Sequence, residues 1–313
     1  MIDQRDIATL ERVGAVLSDE DARTLRDSAA EAAAAEDPAA ALAAADAGVE
    51  AAERLIATSA RRARIGSDDA EIRQAFADCE AHYGTDSCAP SWFDVERSRT
   101  VQLRPFALDA EEVSFAEFAR FVDESGYTPT STERGWSLQL LPDLGIATLE
   151  GYTWATPTGP GSDHRAVPEL PVAHVSYFDA DAFCRFRNAR LPSRAEWEVA
   201  MRGAERAVYA SYFDPAGYRP DAPGEPTLGT RAVDDDSMRD ADTGLHGATG
   251  NVWEWTTTVD PTHSGGSRRF LKGGSWKESA PVNMRLAALR SEYPGDSYID
   301  VGFRCVEDRE RWP

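Results

Sequence analysis

The chain has 313 residues and a formal net charge of −21 at pH 7, with a sequence pI near 4.6. This charge argues against nucleic acid or an anionic membrane as partner, because a polyphosphate needs a basic face to displace its counterions. A composition of 42% hydrophobic and 9% aromatic residues predicts a globular protein, in one large domain with an appendage or in two modest domains. The acidity favours solubility or adaptation to high salt, and a cationic partner stays open.

Residues 1–85 predict an all-α appendage in the form of a helical hairpin or bundle. Apolar residues recur at helical spacing from Leu10, and Asp37 with Pro38 opens an alanine-rich helix that we expect to run through Leu55 and Ile56. Ser67 is expected to cap a further helix. We expect this segment to be structural, or to be an arm that docks to a partner or mediates oligomerisation.

The targeting segments and the cysteine spacing give expectations for the cellular compartment and the redox state. No stretch of eighteen apolar residues predicts a membrane span, and the first residues lack the basic start and apolar core of a signal peptide. We therefore expect a cytoplasmic protein, or an exported one if a signal segment was removed. The four cysteines, Cys79, Cys88, Cys184 and Cys305, do not have zinc-site spacing. Two disulfides, four thiols, or one disulfide with two thiols all remain open.

Residues 86–313 mix strand and helix patterns. We expect an edge strand over residues 100–108, because a proline interrupts its alternation, and a helix over residues 114–122 whose phenylalanines enter the core. Residues 130–170 read as a long loop, and residues 171–177 read as a strand. Helices are predicted from Asp179 and, with Ser193 as cap and Glu196 three residues later, up to Gly203.

The stretch from Thr243 to Cys305 is the densest in aromatic residues and glycines. It reads TGLHGATGNVWEW, then RRFLKGGSW, then YIDVGFRC, and it contains three of the eight tryptophans. Short pieces separated by turn residues, with this aromatic content, are typical of a site or a core.

The motifs follow an order that resembles the formylglycine-generating enzyme family. The motifs are EVS before the phenylalanine-rich helix, PVAHVSYFDADAFC, RLPSRAEWEVAMRG, GATGNVWEW, LKGGSW, RLAALRS and GFRC. This sulfatase-modifying-factor family shares a superfamily with the ergothioneine-synthase-like proteins. The resemblance spans residues 95–308 and implies an α+β, loop-rich domain over residues 86–313, a variant of the C-type lectin fold.

The resemblance implies a copper site that this chain lacks. The family enzymes bind copper and the substrate thiol through two cysteines spaced C-x4-C just after GGS, because soft thiolates suit Cu(I). In this sequence the matching positions fall at or near Glu278 and Asn283, and no cysteine lies between Cys184 and Cys305. A carboxylate and an amide cannot replace a dithiolate. We expect neither copper nor the oxidase activity.

Iron-dependent relatives take three histidines, partly from a helix with an H-x3-H-x-E motif. Here the five histidines are His82, His164, His174, His246 and His263, and no pair has i, i+3 or i, i+4 spacing. We expect His174 to be structural. An iron site from His164, His174, His246, Glu254 and Glu278 would define the alternative function, a metal-dependent oxygenase or protein-modifying enzyme of the non-haem iron type.

The resemblance also implies a calcium site and a disulfide. The calcium ligands would be Gly250, Val252 and Glu254, and a further Asn or Asp ligand of the family aligns with Gly247, which removes one side-chain oxygen. The alternative is a buried Glu254 paired with Arg304 or Arg290. Cys184 and Cys305 match two positions that pair in some relatives.

These observations favour a binding module, a pseudoenzyme that recognises a peptide, a small ligand or a protein. Arginine beside tryptophan suits recognition through stacking and bidentate hydrogen bonds. No catalytic residue is assigned. The predicted cleft residues are Trp253, Ser275, Trp276, Glu278, Asn283, Arg285 and Arg290.

Overall fold

The computed structural model describes residues 55–58, 61–141, 145–203, 207–216, 229–263 and 268–309. The helices predicted within residues 1–54 lie outside these ranges. The five described α-helices are α1 (Asp69–Tyr83), α2 (Phe115–Ser125), α3 (Thr130–Arg134), α4 (Tyr177–Phe186) and α5 (Arg194–Arg202). None of them is long and apolar enough to cross a bilayer.

Reciprocal capping boxes begin four of these helices. The cap residues Asp68, Ser114, Ser176 and Ser193 each accept from the main chain three residues later, and an acidic side chain there bonds back to the cap. Such boxes satisfy amides that the first turn leaves without intrahelical partners. The predicted cap at Ser193 is confirmed, whereas α1 uses Asp68 in place of Ser67.

The described strands form two larger sheets and two separate pairs of strands. The strands are β1 (Leu55–Thr58), β2 (Arg61–Ile65), β3 (Arg99–Leu103), β4 (Phe106–Asp109), β5 (Trp136–Leu140), β6 (Ile146–Glu150), β7 (Trp253–Val259), β8 (Arg269–Lys272), β9 (Arg290–Glu292), β10 (Val301–Gly302) and β11 (Val306–Asp308). One sheet has the order β1-β4-β11 and the other β10-β7-β8-β9, while β2 pairs with β3 and β5 with β6. Only β10 and β7 pair in parallel among these strands.

Two strand assignments differ from the sequence prediction near the N-terminal side. The helix predicted through Leu55 and Ile56 is wrong: these residues form β1, which pairs with β4, because long-range pairing overrides local helix propensity. Residues 100–108 are divided into β3 and β4 at Pro105. β4 lies between β1 and β11, so it is central and not an edge strand. The domain division at residue 85 stays a prediction.

Two further differences concern the middle of the chain. The stretch 130–170, predicted as a loop, contains α3 and the β5–β6 hairpin. The stretch 171–177 forms no strand, because its hydrogen bonds go to separate partners: Val172 N–H donates to Val113 and His174 N–H donates to Tyr298. His174 also has a φ of 60°, which interrupts an extended strand.

The largest apolar core gathers aromatic residues from both halves of the domain. Phe118 of α2 packs against Phe183 of α4 and Phe303, with ring centroids 6.0 and 6.3 Å apart, and the predicted core role of the helix phenylalanines is confirmed. The disulfide Cys184–Cys305 lies inside this core, and both its residues are fully buried. The second disulfide, Cys79–Cys88, belongs to a smaller cluster around α1.

A buried ionic cluster joins the two sheets. Arg304 donates through Nε to Glu254 Oε2 at 2.8 Å and through Nη2 to Oε1 at 2.7 Å, and Trp197 Nε1 donates to Oε2 at 2.7 Å. Of the two expected arginine partners, Arg304 is therefore the one that binds Glu254. Arg304 and Glu254 are fully buried, so each charge depends on its partner for solvation.

We predict that Glu254→Gln lowers the free energy of unfolding by about 3–5 kcal/mol, because it removes the negative charge that pairs bidentately with the buried Arg304. Urea unfolding at pH 7 measures this change. The matched control is Asp181→Asn, which breaks the surface pair with Arg185 at 2.8 Å and should cost less than about 1 kcal/mol. Equal losses in the two variants would contradict the prediction.

Glu112 adds a second carboxyl group to the cluster. Its Oε1 accepts from Asn251 Nδ2 at 3.0 Å, and its Oε2 lies 3.7 Å from Arg304 Nη2. Burial, together with the charge of the nearby Glu254, raises the pKa of Glu112 to about 7 against the opposing charge of Arg304. The folded protein thus holds a proton that the unfolded chain releases between pH 4.5 and 7.

A folded-state pKa above the unfolded value makes stability decrease as pH rises through that window. We expect Glu112→Gln to remove this dependence. The free energy of unfolding of the variant should gain about 1–3 kcal/mol relative to wild type between pH 4.5 and 7.5. Denaturant unfolding at both pH values measures the difference, and parallel pH profiles of the two proteins would rule out this titration.

Candidate functional site

The segment of residues 276–284 follows β8 after a tight glycine turn. Gly273 and Gly274 have φ values of 101° and 78°, which glycine adopts without strain. A Cβ at Gly274 would lie only 2.6 Å from Met284 Sδ, so the lack of a side chain lets the two ends of the segment touch. The segment thus folds back on itself as a compact surface turn.

Glu278 is the centre of this turn. Its Oε1 accepts from Trp253 Nε1 at 2.7 Å and its Oε2 accepts from Asn283 Nδ2 at 2.8 Å. Burial raises the pKa of the Glu278 carboxyl, and these two hydrogen bonds oppose the rise. The structure therefore brings together three of the predicted cleft residues.

Asp300 connects two more predicted cleft residues. Its Oδ2 accepts from Ser275 Oγ at 3.1 Å and from Arg290 Nη1 at 2.9 Å, while Arg290 Nε donates to Glu292 at 2.9 Å. The side chains of Arg290 and Asp300 are 10% and 4% exposed, respectively. The charges of Asp300 and Glu292 raise the pKa of Arg290, so it stays protonated although burial opposes this.

Three buried polar atoms next to these contacts are unsatisfied. Arg290 Nη2, Asp300 Oδ1 and Trp276 Nε1 have no hydrogen-bond partner among the described residues. A buried donor or acceptor without a partner costs about 1–3 kcal/mol. The three atoms are two donors and one acceptor whose hydrogen-bonding capacity is unused among the described residues.

Three residues of this region escaped the sequence prediction. Lys277 lies 5.8 Å from the Trp276 ring centroid and donates to Leu140 O at 3.4 Å, and burial lowers the pKa of its ammonium group. Lys277 lies inside the segment that the sequence singled out, and Asp300 lies in the YIDVGFRC motif. Tyr83 had no such signal, because α1 is about two hundred residues away in the chain.

Arg285 lies apart from the other predicted cleft residues. Its Nη1 is 2.9 Å from Glu96 Oε2, its guanidinium lies 5.3 Å from the Phe93 ring centroid, and its Nε donates to Val282 O at 2.8 Å. These contacts bury Arg285 behind the segment, toward α1. Arg285 thus connects Val282 of the turn to Glu96.

His263 Nδ1 lies 2.8 Å from Asp260 Oδ2, but the described histidines do not gather with carboxylates into a set of three metal ligands. His174 is buried with Nε2 3.0 Å from Pro157 O, and burial lowers its pKa to about 4. His164 packs on Trp154 at 4.6 Å, and the ring nitrogens of His246 have no hydrogen-bond partner among the described residues. Across the described part of the chain, no three His, Cys, Asp or Glu side chains have the spacing of a metal site.

The carboxylate expected to hold calcium does not fit that ion. Both oxygens of Glu254 already accept hydrogen bonds from Arg304 and Trp197. A side chain at Gly247 would overlap the Glu112 carboxylate. An arginine thus takes the place of a cation beside Glu254, and calcium needs six to eight oxygens.

All four cysteines of the sequence are in disulfides, as Cys79–Cys88 and Cys184–Cys305. The pairing implied for Cys184 and Cys305 by the resemblance is thus present in the structure. No free thiol is available to the candidate site, because the described residues contain no unpaired cysteine. A thiolate ligand set for Cu(I) cannot form here without breaking a disulfide.

Comparisons with known proteins agree with the resemblance to the formylglycine-generating enzyme family. The family model described as the sulfatase-modifying factor enzyme 1-like domain matches residues 77–309. The formylglycine-generating enzyme of Streptomyces coelicolor is 35% identical over 256 residues, which cover 67% of this chain and 81% of that protein. The inactive C-alpha-formylglycine-generating enzyme 2 of Mus musculus is 34% identical, with 73% and 83% covered.

The fold agrees with a solved structure. PvdO from Pseudomonas aeruginosa superposes with a TM-score of 0.50 at 18% identity, covering 82% of this chain and 94% of that one. The order of motifs, the mixed helix and sheet content and the matched family model all agree. The chain is therefore a member of the sulfatase-modifying factor enzyme 1-like domain family.

Proposed function

We propose that this protein is a ligand-binding member of its family, without copper–cysteine oxidase activity, and that residues 276–283 with Arg290 and Asp300 bind a peptide. The observation that carries the proposal is the set of unsatisfied buried atoms, Arg290 Nη2, Asp300 Oδ1 and Trp276 Nε1, within the described residues. A bound group that satisfies them recovers the free energy that their burial costs.

A peptide group has the matching chemistry. Arg290 and Asp300 share one hydrogen bond, from Nη1 to Oδ2, which leaves one donor and one acceptor on the same pair of side chains. A peptide C=O accepts from Arg290 Nη2 and a peptide N–H donates to Asp300 Oδ1. The adjacent Trp276 ring and Nε1–H supply stacking and one more donor.

The same contacts argue against transfer of electrons through this turn. Glu278 and Asn283 lie at or near the positions where the resemblance puts two thiolates, and Asn283 donates to Glu278 at 2.8 Å. Asparagine has no redox chemistry, and the Glu278 carboxylate also holds Trp253. These side chains support a rigid recognition surface. A non-haem iron enzyme is the competing hypothesis, and metal content separates the two.

The peptide that the wild-type protein binds most tightly on an array of random dodecapeptides serves as the ligand. We predict that Trp276→Ala lowers the affinity for this peptide by at least about tenfold, because aromatic anchors dominate peptide interfaces. Titration of that peptide by fluorescence anisotropy gives the affinity. The matched control is Phe178→Ala, an aromatic residue that is 55% exposed on α4 and should leave the affinity unchanged. Equal affinities in wild type and Trp276→Ala, with both proteins folded by circular dichroism, would refute the proposal.

We also predict that the full chain, purified without chelator, contains far less than one equivalent of iron or copper by plasma mass spectrometry. The physical reason is that the described histidines and carboxylates are dispersed or already paired. One equivalent of either metal, lost in His246→Ala or Glu278→Gln, would favour the enzymatic hypothesis instead. Asp181→Asn, which changes a surface carboxylate of α4 paired with Arg185, is the control that should leave the metal content unchanged in either case.

A further inference from the structure

The C-terminal end of helix α1, which lies far from the family motifs in the sequence, contacts the candidate site. Tyr83, the last residue of α1, has its Oη 3.0 Å from Ser279 Oγ and 3.5 Å from Asn283 Nδ2. Asn283 in turn donates to Glu278, which also accepts from Trp253. A line of hydrogen bonds therefore leads from the end of α1 to the centre of the site.

Apolar packing holds α1 against the same turn. A small core cluster contains Ile72, Ala75 and Cys79 of α1 together with Ala280 and Val282 of the turn. Phe93, which stacks under Arg285, belongs to this cluster as well. The position of the 276–284 turn thus depends on the position of α1.

One covalent bond fixes the end of α1. The disulfide Cys79–Cys88 joins its last turn to the segment that precedes Phe93. Between the two cysteines the chain makes an exposed turn, held by main-chain hydrogen bonds from Gly84 N–H to Glu80 O and from Ser87 N–H to Gly84 O. Solvent competes with such hydrogen bonds, so the disulfide is the strongest constraint on this end of the helix.

The two disulfides differ in surroundings. Cys184 and Cys305 have no exposed surface and lie in the largest core, whereas Cys79 and Cys88 are 3% and 8% exposed beside the solvent-exposed turn of residues 84–87. Thiol–disulfide exchange requires a thiolate to reach a sulfur atom in line. A reductant therefore has access to Cys79–Cys88 at a lower cost in local opening than to Cys184–Cys305.

We propose that Tyr83 is a ligand-positioning residue of the candidate site and that the Cys79–Cys88 disulfide is a redox control on that site. This inference rests on the proposed function for its effect on binding. A dithiol transfers two electrons and two protons to the S–S bond, becomes a disulfide itself, and leaves thiols at Cys79 and Cys88. The end of α1 can then move, Tyr83 loses its contacts with Ser279 and Asn283, and the turn is no longer supported on that side.

The test uses the full chain treated with dithiothreitol, with alkylation and peptide mass spectrometry to identify which cysteines react. Hydrogen–deuterium exchange follows residues 276–284. We expect exchange there to become about fivefold faster or more when Cys79 and Cys88 are reduced. The double variant Cys79→Ser/Cys88→Ser should show the same faster exchange without any reductant. Tyr83→Phe, which removes one hydroxyl and keeps the ring, should accelerate exchange in the same residues, while α2 stays unchanged.

Binding of the best array peptide supplies an independent readout, and we expect reduction to weaken it by about fivefold or more. Unchanged exchange in residues 276–284 with Cys79 and Cys88 fully alkylated would overturn the redox control. Equal affinities of the oxidised, reduced and Tyr83→Phe proteins for the peptide would overturn the role of Tyr83. If no peptide binds the oxidised protein, the proposed function fails, and the exchange data still decide whether the disulfide controls the turn.

Discussion

The bidentate ion pair between Arg304 and Glu254 is the interaction on which the rest of the domain depends. Besides Glu254, Arg304 donates to the main-chain oxygens of Asp109, Ala110 and His246, at 3.2, 2.9 and 2.8 Å. One guanidinium thus joins β7, the end of β4 and the loop before β7. A cation buried this completely is stable only with all its donors satisfied, so these parts of the chain can pack in one arrangement.

Strand β7, which carries Glu254, also positions the candidate site. Successive residues of a strand point to opposite sides, so Glu254 reaches the ionic cluster while Trp253 reaches Glu278 at 2.7 Å. The parallel partner β10 begins directly after Asp300, whose main-chain oxygen accepts from Trp253 N–H at 2.9 Å. The candidate site is therefore built on a sheet whose hydrogen bonds fix the positions of its polar side chains.

Local chemistry made much of this fold predictable. Ser193 identified one helix start, because a cap and an acidic residue three positions later act within one turn, and the motif order identified the family. Non-local pairing was not predictable: Leu55 follows a helix-favouring run yet joins β4, and Tyr83 meets Asn283 across two hundred residues. Trp276, Glu278, Asn283 and Arg290 were proposed as cleft residues from the sequence, but the unsatisfied atoms on Trp276, Arg290 and Asp300 required coordinates.

The most direct test of a preformed peptide site is the NMR signal of one indole. Trp276 Nε1–H has no acceptor among the described residues, whereas Trp253 and Trp197 donate to Glu278 and Glu254. In 15N-labelled full chain titrated with N-acetylglycinamide, a minimal peptide-group probe, the Trp276 indole signal, assigned with Trp276→Phe, should move saturably while the Trp197 signal stays in place. A Trp276 signal that does not move, or that moves linearly together with all other indole signals, would contradict a binding site at this turn.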